Sequence, residues 1–407
     1  MLRLSLLSWI LVQSVHSFGP SLLPLFSLDP SYLNINHGSY GSSPKYIHDK
    51  LGHYQLLAER NPDRWFRLEV PAEMNRVRQR LSSYVNCEAE DLVLIDNASA
   101  AVNSILKSLR FQSNATTTIL YYSVAYRMVK LTLEYVSREL FRDEQIVEIE
   151  LDERMIQNTD LLLQKTDEYL KRISNVQLVV FDHISSAPSI RFNIEQMIGF
   201  FRQRKILTLI DGAHAVGAIQ LDLKKIDPDF YLSNNHKWLF SHRTSCLLYV
   251  KRDLQKFIHP IITSFGYLQS FQEEFFWLGT KDYSAFLTIV DALDFRRTIA
   301  TESKIFQYNH QLAVQAGRLL AQMWNTSTLT SDEKWISTMN NIQLPLRIDS
   351  IPKLKNLYDT MVGQYNIFLP MFEFQKKFFC RISAQIYTDL NDFRTLGQLV
   401  LQAMNNH

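Results

Sequence analysis

Two stretches of the chain carry side chains whose types and spacing could do chemistry together. LTLIDGAHAVG brings an acid, Asp211, to the end of an apolar run, and DFYLSNNHKWLF presents Lys237 between His236 and Trp238, 26 residues later. A lysine amine forms a Schiff base with an aldehyde, and a carboxylate can keep a pyridine nitrogen protonated. Together the two could hold pyridoxal phosphate, with Lys237 as the Schiff-base amine and Asp211 as the pyridinium partner, and so make an electron sink. Singly, each has a plainer reading. Acids at strand ends commonly cap turns, and most lysines are solvated surface residues.

A phosphate of nearly two negative charges also needs donors, and NASAAVNSILKSL offers a place for them. Val102, Ile105, Leu106 and Leu109 fall at i, i+3, i+4 and i+7, which predicts a helix with one buried stripe and polar residues at its start. The N-terminus of such a helix supplies free N–H groups and a favourable dipole, so Ala98 and Ser99 are the candidate phosphate cup. Capping of the helix by Asn97 or Ser99 explains the same residue types.

The elements that must position these groups alternate. Between about Asp91 and Arg252, the β-rich runs Leu92–Ile95, Thr118–Ser123, Val176–Asp182, Leu207–Asp211, Phe230–Leu232 and Cys246–Val250 are separated by helical stretches. Near-continuous apolar runs such as LVLI and QLVVFD suit strands buried on both faces, hence an α/β protein with a mostly parallel sheet under helices. Residues 18–45 form an N-terminal segment, 46–295 a large cofactor-binding domain, and 296–407 a smaller C-terminal domain, helical first and then mixed. No repeat, low-complexity tract or Gly/Ser linker separates them.

Composition narrows the classes. The 407 residues include 46% apolar and 21% charged, enough for a large core, and 43 basic against 41 acidic residues leave a formal +2. No run of Lys and Arg concentrates that charge, which argues against nucleic acid. Three cysteines, Cys87, Cys246 and Cys380, show no CxxC spacing, and no His pair sits at metal-ligand distance, so neither a disulfide framework nor a metal is expected. Residues 1–17, with Arg3 and the apolar Leu4–Val12, read equally as a signal peptide or as an arm packed on the body. They are too short to span a membrane, and the compartment, cytoplasmic or secretory, stays open. Sequons at Asn97, Asn114 and Asn325 do not settle it.

The ordered motifs YLNINHGSYGSSP, AERNPDRWFRLEVP, NASAAVN, YSVAYRMVKLTLEYV, FDHISSAPSIRF, IDGAHAVG, SNNHKWLF, GTKDYSAFL and RISAQIY resemble the class V aminotransferase family of fold-type I pyridoxal phosphate enzymes. Within it they are most similar to the isopenicillin N epimerase-like branch, which includes hercynylcysteine sulfoxide lyases of ergothioneine synthesis. The resemblance runs from Leu33 to about Leu396. It implies a fold-type I transferase fold, His214 beside the cofactor's phenolic oxygen, Asn234 and His236 as further anchors, and Tyr126 over the pyridine ring. It also implies Arg381 at the substrate carboxylate, Asn36, His37 and Ser39 on the substrate side, and a homodimer in which Thr280 reaches the phosphate of a second protomer. Two departures matter. SHRTS stands where the family has a Pro-Arg-Gly type of turn, and Tyr358–Lys377 lacks the mobile cysteine of a desulfurase.

On this resemblance Lys237 removes the α-proton, and a carbon–sulfur lyase acting on a cysteine S-conjugate or sulfoxide, such as hercynylcysteine sulfoxide, is the favoured reading. Tyr126 would pass a proton near the β-substituent. Epimerisation or transamination is the alternative chemistry, and a degenerate cofactor-fold binding protein is the non-enzymatic one.

Overall fold

The computed structural model describes residues 17–109, 117–140 and 144–405. The N-terminal leader reading, apart from Ser17, and the Asn114 sequon lie outside the described residues. Seven strands form the main sheet: β1 (Leu92–Ile95), β2 (Thr117–Tyr122), β3 (Glu144–Ile149), β4 (Val176–Asp182), β5 (Leu207–Asp211), β6 (Phe230–Asn234) and β7 (Cys246–Val250). Their order is β1-β7-β6-β5-β4-β2-β3, parallel except that β7 runs against both neighbours. β1, β6 and β7 are buried along their whole length, as strands covered on both faces must be.

All six strands read from the sequence are present, with no end displaced by more than two residues. The seventh, β3, was not anticipated. Its EQIVEI is only half apolar because it lies at the sheet edge, where Gln145 and Glu148 are exposed. The helix Ala98–Ser108 follows β1, and Val102, Ile105, Leu106 and Leu109 are all buried beneath it.

A second sheet orders β8 (Met339–Gln343), β10 (Lys377–Ser383) and β9 (Met371–Phe374) as β8-β10-β9, all antiparallel. The helices Glu302–Trp324, Ile351–Tyr365 and Leu390–Asn405 pack apolar faces with it into a separate core. The helix Ser284–Ile299 runs through residue 296, so regular structure first breaks at Ala300. Arg296, fully buried there, pairs with Glu302 at 2.6 Å and donates to the carbonyls of Trp238 (2.7 Å) and Gly217 (3.1 Å). One buried ion pair thus ties the junction of the two sheets to the lysine-bearing turn. No described helix is long and apolar enough to cross a membrane.

Candidate active site

The site forms where β4, β5 and β6 end, at the carboxyl edge of the parallel sheet, where open α/β folds bind ligands. β6 stops at Asn234, and the turn after it is fixed from several sides. The Asn235 N–H donates to Ser245 O at 3.0 Å, His236 Nδ1 sits 3.0 Å from the same carbonyl, and His37 Nε2 lies 2.8 Å from Lys237 O. Gly41, at φ 68°, packs so closely that a Cβ would strike the His236 carbonyl. Gly217, at φ 79°, does the same beneath Trp238 and Leu239.

This clamp aims Lys237 into a cavity of about 400 Å³ whose wall includes Asp211, His214, Asn234, His236, Ser99 and Tyr126. Lys237 Nζ stands 3.1 Å from His214 Nε2. Burial, then the nearby Arg381 cation, pushes the lysine amine down to about 7, against the opposing pull of Asp211. An amine in that range is a competent nucleophile and base near neutrality. His214 is held well below its usual range by burial and by Lys237, so it is neutral. Trp238 Nε1 donates to its Nδ1 at 3.4 Å, which puts the ring proton on Nε2, facing the cavity.

Asp211 closes β5, and its Oδ1 accepts from the Ala213 N–H at 2.9 Å. Burial holds its pKa above the usual carboxylate range, against the opposing pull of the Ala213 N–H and then of Lys237. At the helix start the first-turn donors are mostly spoken for. The Ala98 N–H goes to Asn234 Oδ1 (2.9 Å), that of Ala100 to Asn97 Oδ1 (2.9 Å), and that of Ala101 to Asn97 O (3.1 Å). Ser99 keeps both its N–H and its hydroxyl free of partners among the described residues, so it is the open donor at this helix terminus. Asn234 therefore acts by orienting the helix start. His236 is neutral, its ring pushed down to about 4 by burial.

Arg381, central on β10, is 3% exposed and, among the described residues, has no acid beside it. Its guanidinium donates to Ser186 O (3.0 Å), Ser186 Oγ (3.1 Å), Asn36 Oδ1 (2.7 Å) and Ser39 Oγ (2.9 Å), and its Nε has no acceptor. Burial pushes it down to about 10, which leaves it cationic at neutral pH. Buried Arg296 has Glu302; Arg381 has only neutral acceptors. A buried unpaired cation is costly, and an incoming carboxylate relieves that cost. Ser39 and Ser186 form the cavity wall in front of it.

Three sequence expectations need restating. His37 does not line the substrate side. It is 1% exposed, with Nδ1 2.8 Å from Tyr387 Oη and Nε2 on the Lys237 carbonyl, so it braces the lysine turn from behind. Thr280 is exposed and lies away from the Lys237 cavity of its own chain, on a turn pinned by Lys281 to Asp96 at 2.7 Å. In the SHRTS turn, Thr244 takes the glycine's conformation at φ 67°. Two further wall residues, Ser186 and Asp182, were not singled out. Both lie in FDHISSAPSIRF, and only the sheet register shows which way their side chains face.

The class V aminotransferase family model matches residues 44–395. The chain belongs to the class V aminotransferases. This class V chain is 28% identical to the hercynylcysteine sulfoxide lyase of Schizosaccharomyces pombe, over 94% of its length and 97% of the relative's. It is 28% identical to a probable chloroplastic L-cysteine desulfhydrase of Arabidopsis thaliana (91% and 83% of the two chains) and 26% identical to the isopenicillin N epimerase of Streptomyces clavuligerus (89% and 92%). Its fold superposes on a C-DES variant with glycine covalently linked to its PLP cofactor. The TM-score is 0.76 at 15% identity, over 91% of this chain and 96% of that one. The class V chain thus has the fold-type I architecture.

Proposed function

We propose that this class V enzyme is a pyridoxal 5'-phosphate-dependent carbon–sulfur lyase that eliminates the β-substituent of a cysteine S-conjugate or sulfoxide. Hercynylcysteine sulfoxide is its leading candidate substrate. The observation that carries the reading is the amine of Lys237, brought into its basic form near neutrality beside a buried carboxylate and a neutral His214. The residues present fit the cofactor. Lys237 would hold it by its aldehyde, Asp211 at the ring nitrogen, His214 Nε2–H at the phenolic oxygen, and Ser99 with the helix N-terminus at the phosphate. When bound, the cofactor supplies the conjugated ring that stabilises negative charge at the substrate Cα.

The chain's own groups do the rest. Arg381 takes the α-carboxylate in place of Ser39 and Ser186, which fixes the face that the substrate turns to Lys237. Lys237 removes the Cα proton. Tyr126, half exposed on the cavity wall, is placed to give a proton to the departing sulfur group. Loss of the β-substituent leads, after hydrolysis, to pyruvate and ammonia.

All three cysteines are buried and none is on the cavity wall, which favours a small-molecule sulfur product over a persulfide on the protein. We further propose a homodimer in which Thr280 reaches the cavity of a second copy. The division at residue 296 into a large and a small domain belongs to the same reading.

The test is pyruvate and ammonia release by the purified protein with pyridoxal phosphate, across hercynylcysteine sulfoxide, cysteine and simple S-conjugates. Stoichiometric pyruvate from one of them, lost in Lys237→Ala, is expected. Solvent deuterium at Cα without pyruvate would replace the lyase by the epimerase reading.

A further inference from the structure

Asp182 is the buried titratable group on the cavity wall that the mechanism above leaves without a task. It is the last residue of β4, and the register pairs it with Asp211, the last residue of β5. Paired residues on adjacent parallel strands lie about 5 Å apart and point to the same face of the sheet. Both are nearly sealed from solvent, at 4% and 5% exposure, and both line the Lys237 cavity.

The partners of the two differ. Asp211 spends one oxygen on the Ala213 N–H, while the Asp182 carboxyl has no hydrogen bond to any other described residue. Two such carboxyls cannot both ionise at this spacing in a dry wall. The groups facing Asp182 are Asp211 from β5 and Lys130 from the helix Arg127–Tyr135, whose ammonium is already 3.1 Å from Glu148. Across the cavity stand Lys237 and neutral His214. Lys237 acts on Asp211, whereas burial and the Asp211 charge together drive Asp182 towards its neutral acid.

We propose that Asp182 is a positioning residue: a carboxylic acid whose O–H donates to the free oxygen of Asp211, so that the pair holds one proton and one negative charge. Asp211 then offers that charge, in a fixed orientation, to the cation that enters the cavity. The proposal rests on the cofactor reading only for the identity of that cation, and it needs no commitment to a substrate.

Its test avoids turnover, so failure of the lyase reading cannot be mistaken for failure here. Asp182→Asn keeps the shape and a donor to Asp211 and removes the bound proton. Folding of the wild-type apo-protein takes up one proton that the variant does not. Between pH 5 and 8 the wild-type unfolding constant should therefore rise about tenfold per pH unit relative to the variant's. Parallel pH curves overturn the proposal. A second arm measures pyridoxal phosphate affinity by absorbance titration. Asp182→Asn is expected to stay within about threefold of wild type and Asp182→Ala to weaken by about tenfold or more, the loss of one hydrogen bond to a charged group. Equal affinities in the two variants would show that no donor to Asp211 is needed and overturn it independently.

Discussion

Replacing Arg381 separates what its charge does from what its shape does. The guanidinium is buried, cationic and matched only by the neutral oxygens of Ser186, Asn36 and Ser39. Arg381→Lys keeps the positive charge and loses the planar fork that meets a carboxylate with two hydrogen bonds. One charge-assisted bond lost amounts to about 1.5 to 3 kcal/mol, a fall of roughly ten- to hundredfold in kcat/KM. Arg381→Gln loses the charge as well, and removing one partner of a buried charged contact costs about 2 to 5 kcal/mol, at least as large a fall.

The two variants part company in a second measurement. After burial, the Arg381 cation is the main cause of the depressed Lys237 amine. The rate of cofactor capture, followed by absorbance after rapid mixing, should rise with pH through a midpoint near 7 in the wild type and in Arg381→Lys. In Arg381→Gln that midpoint moves up. Pyruvate release supplies kcat/KM. An unchanged kcat/KM in Arg381→Lys, or a midpoint still near 7 in Arg381→Gln, would refute the assignment of Arg381 to both tasks.

Thr244 is exposed and held at φ 67°, where a β-branched residue is strained by about 1 to 3 kcal/mol, while a glycine adds about 0.4 to 1 kcal/mol of chain entropy to the unfolded state. Thr244→Gly should accordingly stabilise by about 1 kcal/mol in a urea titration, and a lower midpoint would contradict the backbone argument. His37→Ala strips partners from the Lys237 carbonyl and the Tyr387 hydroxyl, so a loss of about 2 to 5 kcal/mol in stability is expected. Unaltered stability with a raised KM would return His37 to the substrate side. The Lys237 amine titrates near 7 when folded against 10.5 when free, so unfolding takes up a proton between those values and apo-protein stability climbs with pH across them. Lys237→Met removes that slope: its advantage over wild type should be full at pH 6 and gone by about pH 10.5, and an advantage independent of pH would deny the shift. Tyr126→Phe deletes a hydroxyl on a half-exposed side chain. Turnover should fall while cofactor affinity and melting temperature stay put, and unchanged turnover would remove Tyr126 from the proton path.

The parts of the site legible in the sequence are those whose signal is local. Apolar runs bounded by polar turns point to six strands because both faces of those strands are covered, and they put Asp211 at a strand end, where a cavity in this architecture must open; that the next strand runs on to Asn234 is visible only in the structure. β3 escaped because an edge strand needs only half its residues apolar, which is also how an exposed loop reads. His37 was placed on the wrong side of its turn because a turn's composition does not say which of its faces meets the cavity. Asp182 went unnoticed for a different reason: what makes it unusual is Asp211, 29 residues away, and the register that pairs them is set by the packing of whole strands.

The two buried arginines show the same limit and why it bears on function. Arg296 has its acid, Glu302, six residues further on, close enough for a pair to be suggested by spacing. The oxygens around Arg381 come from the chain's front and from the loop after β4, 195 to 345 residues distant. An arginine satisfied by a neighbouring acid can be a strut. One that the fold surrounds with neutral oxygens from two distant segments, with a bond still unmade, keeps its charge in reserve for an anion that arrives from outside.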